Sequence, residues 1–298
     1  MNTPLIPLGL AIIMITVGLS VQMQDFRALR KHMSAVSAGL IAQVLILPML
    51  ALSIGLVLKL DPVYAIGLVV LAAAPGGITS NFLSVLARGK VALSVSLTVL
   101  TNMLAFVTIP VVLSITLLAI AEPSLGEQST QSLFALPFGR MVIGVLVISA
   151  LPLALGMTIR HFFPDFSGRI VRQARFVASA IFGAIVVTSF VTEWGSISSH
   201  WSVVGPAVIL LNCLSIGSAL IMSRFFSLTA SEAITIAVEC GLQNVALALV
   251  ICQLLLGNSA LMVPASIYAL VMNISILGLI YIGQSLIKPG TARPVDTL

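Results

Sequence analysis

Charged residues are scarce in this sequence: Asp, Glu, Lys and Arg together make up only 8% of its 298 residues. A water-soluble domain carries about 25% charged residues. Hydrophobic residues account for 59% of the chain, and its mean hydropathy is +1.18. These values exclude a water-soluble fold and indicate a protein that lies in a lipid bilayer.

Cysteine is also rare, and the three cysteines, Cys213, Cys240 and Cys252, lie within apolar runs. This pattern excludes a disulfide framework and a zinc site. The sequence pI of 9.5 corresponds to a net charge of only +5, and the basic residues stand in short segments between apolar runs. We therefore expect no nucleic-acid partner, and the sequence indicates no obligatory protein partner.

Nine apolar runs are long enough to cross a bilayer as helices, because a hydrocarbon core of about 30 Å needs roughly 17 or more residues. The first run has neither a basic leader nor a small-residue cleavage site, so we expect a retained helix and not a signal peptide. The sequence thus predicts an all-α polytopic membrane protein, with its longest connections at 121–137 and 160–173. The runs cover about 5–22, 33–58, 63–87, 91–120, 138–159, 174–193, 202–223, 230–256 and 260–287.

The basic residues predict how these helices are oriented. Twelve of the 14 fall on one side of the predicted topology, and only Lys59 and Arg140 fall on the other. Positively charged loops stay in the cytoplasm, so we expect an inner-membrane protein with its N-terminus outside and its C-terminus cytoplasmic. The twelve are Arg27, Arg30, Lys31, Arg88, Lys90, Arg160, Arg169, Arg172, Arg175, Arg224, Lys288 and Arg293.

Two of the runs are interrupted by residues that break helices. The third run contains Ala74-Pro75-Gly76-Gly77-Ile78-Thr79-Ser80-Asn81, and the eighth contains Glu239-Cys240-Gly241-Leu242-Gln243-Asn244. Each interruption lies third in a set of four helices, and the two broken helices run in opposite directions. Paired interruptions of this kind are typical of inverted repeats, and they indicate the binding site of a transporter.

Glu239 lies deep within the eighth run, where a charged side chain costs about 2.5–3.5 kcal/mol. No Lys or Arg lies near the middle of any run, so its neutralising partner must be a cation from solution, either sodium or a proton. The polar residues near the two interruptions favour sodium, because hard oxygen ligands suit an unpolarisable cation. They are Gln43, Ser80, Asn81, Ser94, Thr98, Gln243 and Asn244, together with the backbone carbonyls that a break can free at Cys240 and Leu242.

An anionic substrate would have to be bound without an intramembrane Arg or Lys. The half-helix N-termini after the two interruptions offer unpaired N–H groups and a partial positive charge. Asn244 and Asn273 can add side-chain donors. For Asn273, a hydrogen bond between helices is an equal alternative.

With these residues in place, the sequence resembles the bile acid:sodium symporter family over nearly its whole length, and in particular its bacterial members. The resemblance rests on Ala74-Pro75-Gly76-Gly77 through Ser80-Asn81, on the string from Leu86 to Val95, and on Glu239 through Asn244. It implies a panel domain packed against a core domain, in a four-plus-five arrangement of about nine helices. It also implies two broken helices that cross in the core, and two sodium ions bound near the crossing. The whole chain, 1–298, would form one membrane unit, with the panel at about 5–22 and 138–195 and the core at about 33–120 and 202–287.

By position, the resemblance implies a first sodium site of Ser80, Asn81, Ser94, Thr98 and Glu239. It implies a second site of Gln43, Glu239, Gln243 and the backbone of Cys240 and Leu242. The residues expected to face the substrate are Ile78, Thr79, Asn244 and Asn273.

The departures from the family pattern concern the substrate. Ile78 stands where the family has Thr, Met272 stands where His is common, and Val245-Ala246 stands where Ser-Gly is frequent. Each change removes a polar group near the expected cavity. We therefore expect an organic anion, either bile-acid-like or a small carboxylate such as pyruvate or a pantothenate-type acid.

Two alternatives differ in mechanism. An intramembrane enzyme would need a Ser/His pair, an Asp pair or a metal cluster within the helices. His32, His161 and His200 fall in loops or at helix ends, and Glu239 is the only carboxylate deep in a run, so we expect no enzyme. A proton-coupled carrier or exporter of the same fold would use Glu239 without the surrounding hydroxyls, and it is the closest alternative.

Overall fold

The structure is a computed structural model that describes residues 5–21, 32–77, 79–120 and 138–287. Over these residues the chain is helical, and its extended pairing is one antiparallel bridge between Gly76 and Gln243. The predicted substrate residue Ile78 and the predicted connection at 121–137 lie outside the described residues. So do Arg27, Arg30, Lys31, Lys288 and Arg293.

The helices of the described residues follow the predicted runs. The third run is divided into α3 and α4, and the eighth is divided into α9 and α10. In chain order the helices are α1 Leu5–Leu19, α2 Met33–Val57, α3 Pro62–Ala73, α4 Ser80–Leu86, α5 Val91–Ile120, α6 Phe138–Phe162, α7 Pro164–Thr192, α8 Trp194–Phe225, α9 Ala230–Gly241, α10 Val245–Leu255 and α11 Ser259–Leu286.

The surface of this bundle requires lipid as its solvent. Six helices, α2, α5, α6, α7, α8 and α11, are long and apolar enough to cross a membrane. Large apolar side chains point outward along them, and Met49 and Phe176 are 68% and 78% exposed. A water-soluble protein does not expose apolar surface on this scale. The prediction of an all-α, multi-pass membrane protein is confirmed, while the number of nine crossings stays a prediction.

The predicted loop at 160–173 is wrong. Helix α6 ends at Phe162 and α7 begins at Pro164, so most of that segment is helical. Hydropathy marks where a helix is apolar, whereas the helix itself continues into polar residues. Pro164 and Asp165 suit the first turn of a helix, because proline needs no N–H donor there and a carboxylate interacts favourably with the helix dipole. Helix α8 also continues into polar residues: it begins at Trp194, eight residues before the predicted start.

The helix packing brings two groups of helices together. Helix α1 packs chiefly against α6 and α7, whereas α9 packs against α8 and α11, and α3 packs against α2 and α5. This grouping agrees with the expected division into a panel and a core, which stays a prediction.

Candidate cation site at the paired helix breaks

The two breaks lie against each other in the interior of the bundle. The backbone N–H of Gly77 donates to the carbonyl of Leu242 (3.1 Å), and that of Asn244 donates to the carbonyl of Pro75 (2.7 Å). These bonds satisfy backbone groups that the broken helices would otherwise leave unpaired away from water. They therefore fix the two unwound segments side by side.

The breaks are shorter than the sequence indicates. Ser80 and Asn81 already belong to α4, and Glu239, Cys240 and Gly241 form the last turn of α9. The N–H groups in the first turn of α4 and the carbonyls in the last turn of α9 therefore have no partner within their own helix. As a result, Glu239 is presented from a regular helix end, beside the partial negative charge of the C-terminus of α9.

The carboxylate of Glu239 is fully buried and accepts hydrogen bonds on both oxygens. Ser94 donates to Oε1, and Thr98 donates to Oε2 at 2.9 Å. Ser94 and Thr98 lie one turn apart on α5, so both hydroxyls face the same way. Asn81 Oδ1 lies 2.9 Å from Ser94 Oγ and 3.4 Å from Thr98 Oγ1, and Ser80 Oγ lies 3.3 Å from Thr98 Oγ1. The structure thus brings together all five residues predicted for the first sodium site.

This cluster contains more acceptor oxygens than protons. The single hydroxyl proton of Ser94 is within reach of Glu239 Oε1 and Asn81 Oδ1, and that of Thr98 is within reach of Glu239 Oε2, Asn81 Oδ1 and the Ser94 carbonyl. Each hydroxyl can donate only one hydrogen bond at a time. The oxygens left without a proton are available to coordinate a hard cation.

Gly76 makes room for the carboxylate. A Cβ atom placed on Gly76 would overlap Glu239 Oε2 and would lie 3.3 Å from Gln43 Nε2. Any side chain at this position would push Glu239 out of the cluster. The backbone pairing of the two breaks brings residue 76 so close to the Glu239 carboxylate that only glycine fits there.

A second group of polar atoms lies beside the backbone carbonyls of Glu239 and Cys240. Gln43 Nε2 donates to the carbonyl of Glu239 (3.1 Å), and Gln243 Nε2 donates to the carbonyl of Cys240 (2.7 Å). The side-chain oxygens of both glutamines are buried and have no hydrogen-bond partner among the described residues. Orphaned acceptors of this kind are rare and require an explanation, and a bound cation supplies one.

The backbone atoms predicted for the second site are partly in use. The Leu242 carbonyl accepts from Gly77, and the Cys240 carbonyl accepts from Gln243. A carbonyl oxygen has two lone pairs, so each of them can still accept a cation. Gln43 itself lies in a π-helical turn, Ile41–Ile46, just before Pro48. Proline cannot donate the backbone hydrogen bond of an α-helix. The turn before it therefore forms i→i+5 bonds, and the Gln43 side chain points into the bundle.

The predicted substrate residues are less closely grouped. Asn244 caps α10, since its Oδ1 accepts from the N–H of Leu247 (3.1 Å), while its buried Nδ2 has no partner among the described residues. Thr79 is half-buried at the start of α4. Asn273 is exposed and donates to the carbonyl of Ala269 in its own helix. Of these three, only Asn244 combines burial with a free donor at a break.

Sequence reasoning missed several residues that support the site. The carbonyl of Gly241 accepts from Asn212 and from the hydroxyl of Tyr268, both at 3.1 Å. Ser84 lies 3.2 Å from Ser94. Ser84 follows Ser80 by one helical turn, so its spacing could have indicated this role. Asn212 and Tyr268 lie in other runs, and only tertiary packing places them at the break.

In the described residues, no group of three or more His, Cys, Asp and Glu could hold a metal ion. The ion pairs found there join Glu232 to Lys90 and His32, and none involves Glu239. Paired broken helices around a buried, oxygen-rich centre are the architecture of a secondary transporter. The chain belongs to the sodium bile acid symporter family, whose model matches residues 7–200. The resemblance found in the sequence is thereby confirmed.

Curated relatives are similar to this chain over most of its length. A probable chloroplastic sodium/metabolite cotransporter of Oryza sativa subsp. japonica, BASS2, is 28% identical over 90% of this chain and 61% of its own length. The uncharacterized sodium-dependent transporter YocS of Bacillus subtilis is 27% identical over 80% of this chain and 70% of its own. The human ileal sodium/bile acid cotransporter is 24% identical over 82% and 68%.

This chain therefore spans about three fifths of the length of the rice relative. The relatives are named as transporters and not as enzymes.

Proposed function

We propose that this protein is a sodium-coupled symporter of an organic anion, with two sodium sites at the paired helix breaks. The observation that carries this proposal is the cluster around Glu239. There, a buried carboxylate accepts from two hydroxyls, and acceptor oxygens outnumber protons.

The first sodium ion is assigned to Ser80, Asn81, Ser94, Thr98 and Glu239. A sodium ion offsets the cost of burying a carboxylate, and it gives the excess oxygens a shared partner. Glu239 needs such a partner because the only ion pairs in the described part of the chain are those of Glu232.

The second sodium ion is assigned to the side of Glu239 that faces Gln43 and Gln243. Its support is the pair of buried amide oxygens without partners, together with the spare lone pairs of the Cys240 and Leu242 carbonyls. Glu239 is common to both sites, so the two ions would bind interdependently.

The organic anion is assigned to the half-helix N-termini, where α4 and α10 begin. The free Nδ2 of Asn244 and the partial positive charge of a helix N-terminus both favour a carboxylate. Ile78, Thr79 and Asn273 remain predicted contacts. A small carboxylate and a bile-acid-like anion are both compatible with this assignment.

Transport would proceed by alternating access, as the panel of α1, α6 and α7 moves against the core that carries the breaks. The excess of Lys and Arg on one predicted side supports a cytoplasmic position for that side, with the protein in the inner membrane. The N-terminus would then lie outside, and the C-terminus would lie inside.

A proton-coupled carrier or exporter is the second candidate, because a proton could also neutralise Glu239. A single proton, however, would join Glu239 to one neighbouring oxygen and would leave the buried amide oxygens of Gln43 and Gln243 without a partner. The surplus of acceptor oxygens therefore favours a metal cation, which several oxygens can coordinate at once.

Uptake by proteoliposomes tests the proposal. Purified protein is reconstituted, and a panel of organic acids is offered with sodium, lithium or potassium outside. We expect uptake of at least one acid that requires sodium. Uptake driven by a pH gradient in the absence of sodium would instead establish the proton-coupled alternative.

A further inference from the structure

The string Ala87-Arg88-Gly89-Lys90, between α4 and α5, forms a tight turn that contacts the ends of two other helices. Arg88 takes a left-handed conformation, with φ of 57°. Its guanidinium donates to the carbonyl of Gln284 (2.7 Å) and to that of Ile287, while Gln284 Nε2 donates to the carbonyl of Leu86 (3.0 Å). The turn is thus attached to the C-terminal end of α11.

Glu232, in the first turn of α9, faces the same turn. Its Oε2 accepts from the backbone N–H (2.9 Å) and the hydroxyl (2.7 Å) of Thr229, which closes a capping box. Its Oε1 lies 3.0 Å from Lys90 Nζ and 2.8 Å from His32 Nδ1. The Glu232 side chain is only 10% exposed, whereas those of Lys90 and His32 are 34% and 26% exposed, so these contacts are partly shielded from water.

The three residues of this charged cluster stand at the starts of three helices. His32 directly precedes α2, which carries Gln43. Lys90 directly precedes α5, which carries Ser94 and Thr98, and Glu232 is the third residue of α9, which carries Glu239. With a rise of about 1.5 Å per residue, Glu239 lies roughly 10 Å along its helix from Glu232, and Ser94 lies roughly 6 Å from Lys90. The Glu232 carboxylate therefore links the starts of α2, α5 and α9, the helices that carry Gln43, Ser94, Thr98 and Glu239.

Close packing makes this junction rigid. The backbone N–H of Lys90 donates to the hydroxyl of Thr235 in α9 (2.7 Å). A Cβ atom placed on Gly89 would lie 2.6 Å from that hydroxyl oxygen, so the turn and α9 approach each other as closely as glycine allows. A shift of α5 along α9 would break these contacts together.

We propose that Glu232 is a positioning residue for the cation site, and that it acts through Lys90 and His32. Its ion pair with Lys90 and its hydrogen bond with His32 set the axial positions of α2, α5 and α9 relative to one another, and so place the hydroxyls of α5 beside the carboxylate of α9. A coordination shell works only when its ligands stay within about 0.5 Å of their positions. The inference rests on the proposed function only for its assumption that the cation is sodium.

The test compares Glu232→Gln and Lys90→Met with wild type for the half-saturating sodium concentration of uptake by proteoliposomes. Glutamine still forms the capping box, so Glu232→Gln removes the charge and keeps the helix start. Residues that act on a site without touching the ligand change its affinity by about 2-fold to 30-fold, and we expect an increase in that range for both variants. The double variant should be no worse than the worse single variant, because the two substitutions remove the same pair.

Two controls separate positioning from a general loss of structure. Lys90→Arg keeps the charge and should keep a half-saturation close to that of wild type. Asp165→Asn removes an exposed carboxylate from the first turn of α7 and should leave the half-saturating sodium concentration unchanged. Unchanged half-saturation in Glu232→Gln and Lys90→Met, with sodium-dependent uptake in the wild type, would overturn the inference.

A second readout does not depend on sodium. Cys240 is buried one residue after Glu239, and its thiol can be labelled in a variant that lacks Cys213 and Cys252. We expect Glu232→Gln, and not Asp165→Asn, to increase its labelling rate several-fold. If wild-type uptake proves independent of sodium while this labelling difference holds, the proposed function fails and the positioning role stands. Equal labelling rates would contradict the positioning role whatever cation is transported.

Discussion

Glu239 is the residue on which the proposed mechanism depends, and its surroundings are built from three other helices. Ser94 and Thr98 approach from α5, Asn81 from α4, and Gln43 from α2. Each neighbour contributes an oxygen or bonds to the backbone next to the carboxylate. A buried charge that is surrounded by acceptors and lacks a cationic side chain is unstable unless a cation joins it.

Replacing Thr98 by Ala should weaken sodium binding without unfolding the protein. The change removes one hydroxyl from the cluster, and a hydrogen bond to a charged group contributes about 1.5–3 kcal/mol. The half-saturating sodium concentration should therefore rise by about tenfold to 150-fold. The control is Thr101→Ala, since the Thr101 hydroxyl bonds only to backbone carbonyls of its own helix. Equal sodium dependence in the two variants would remove Thr98 from the ligand set.

Gly76→Ala should disturb the site sterically, because the added methyl group would occupy the space of Glu239 Oε2. Overpacking costs about 1–3 kcal/mol, so we expect the half-saturating sodium concentration to rise at least fivefold. Gly77→Ala is the matched control, since a Cβ atom there would lie at an ordinary 3.4 Å from the carbonyl of Gln243. Wild-type sodium affinity in Gly76→Ala would show that the carboxylate can be displaced without consequence.

At the scale of helices, the breaks in the third and eighth runs could be located from the sequence because Pro75, Gly76, Gly77 and Gly241 interrupt long apolar runs. Their pairing through Gly77 and Asn244 could not, since it arises from tertiary contact between segments far apart in the chain. The helical segment from Pro164 was also missed, because hydropathy detects only the apolar part of a helix and not its continuation into polar residues. The residues that support the site from other helices, Asn212 and Tyr268, carry no local signal either.

The predicted orientation of the helices can be tested by labelling single cysteines in intact cells. Asp165, at the start of α7, and Ser198, near the start of α8, are both exposed. In a background free of other cysteines, Asp165→Cys should react only after the membrane is permeabilised, and Ser198→Cys should react from outside. Labelling of both positions from the same side would contradict the orientation that the basic residues predict.

At the scale of the whole molecule, two sodium ions and one monovalent anion would carry a net positive charge inward in each cycle. Each charge gains about 2.3 kcal/mol per 100 mV of membrane potential. An inside-negative potassium diffusion potential should therefore accelerate uptake into proteoliposomes at fixed sodium. A divalent anion carried by the same protein should show no acceleration. A monovalent anion whose uptake ignores the potential would exclude the two-sodium stoichiometry.

The most direct test of the account is the binding of radioactive sodium to the purified protein, because it needs no knowledge of the substrate. Glu239→Gln keeps the shape of the side chain and removes the charge that offsets cation desolvation, so sodium affinity should fall by roughly a hundredfold or more. Glu193→Gln, at a half-buried carboxylate between α7 and α8, should bind sodium as the wild type does. If Glu239→Gln binds sodium with wild-type affinity, the carboxylate is structural and the account is wrong.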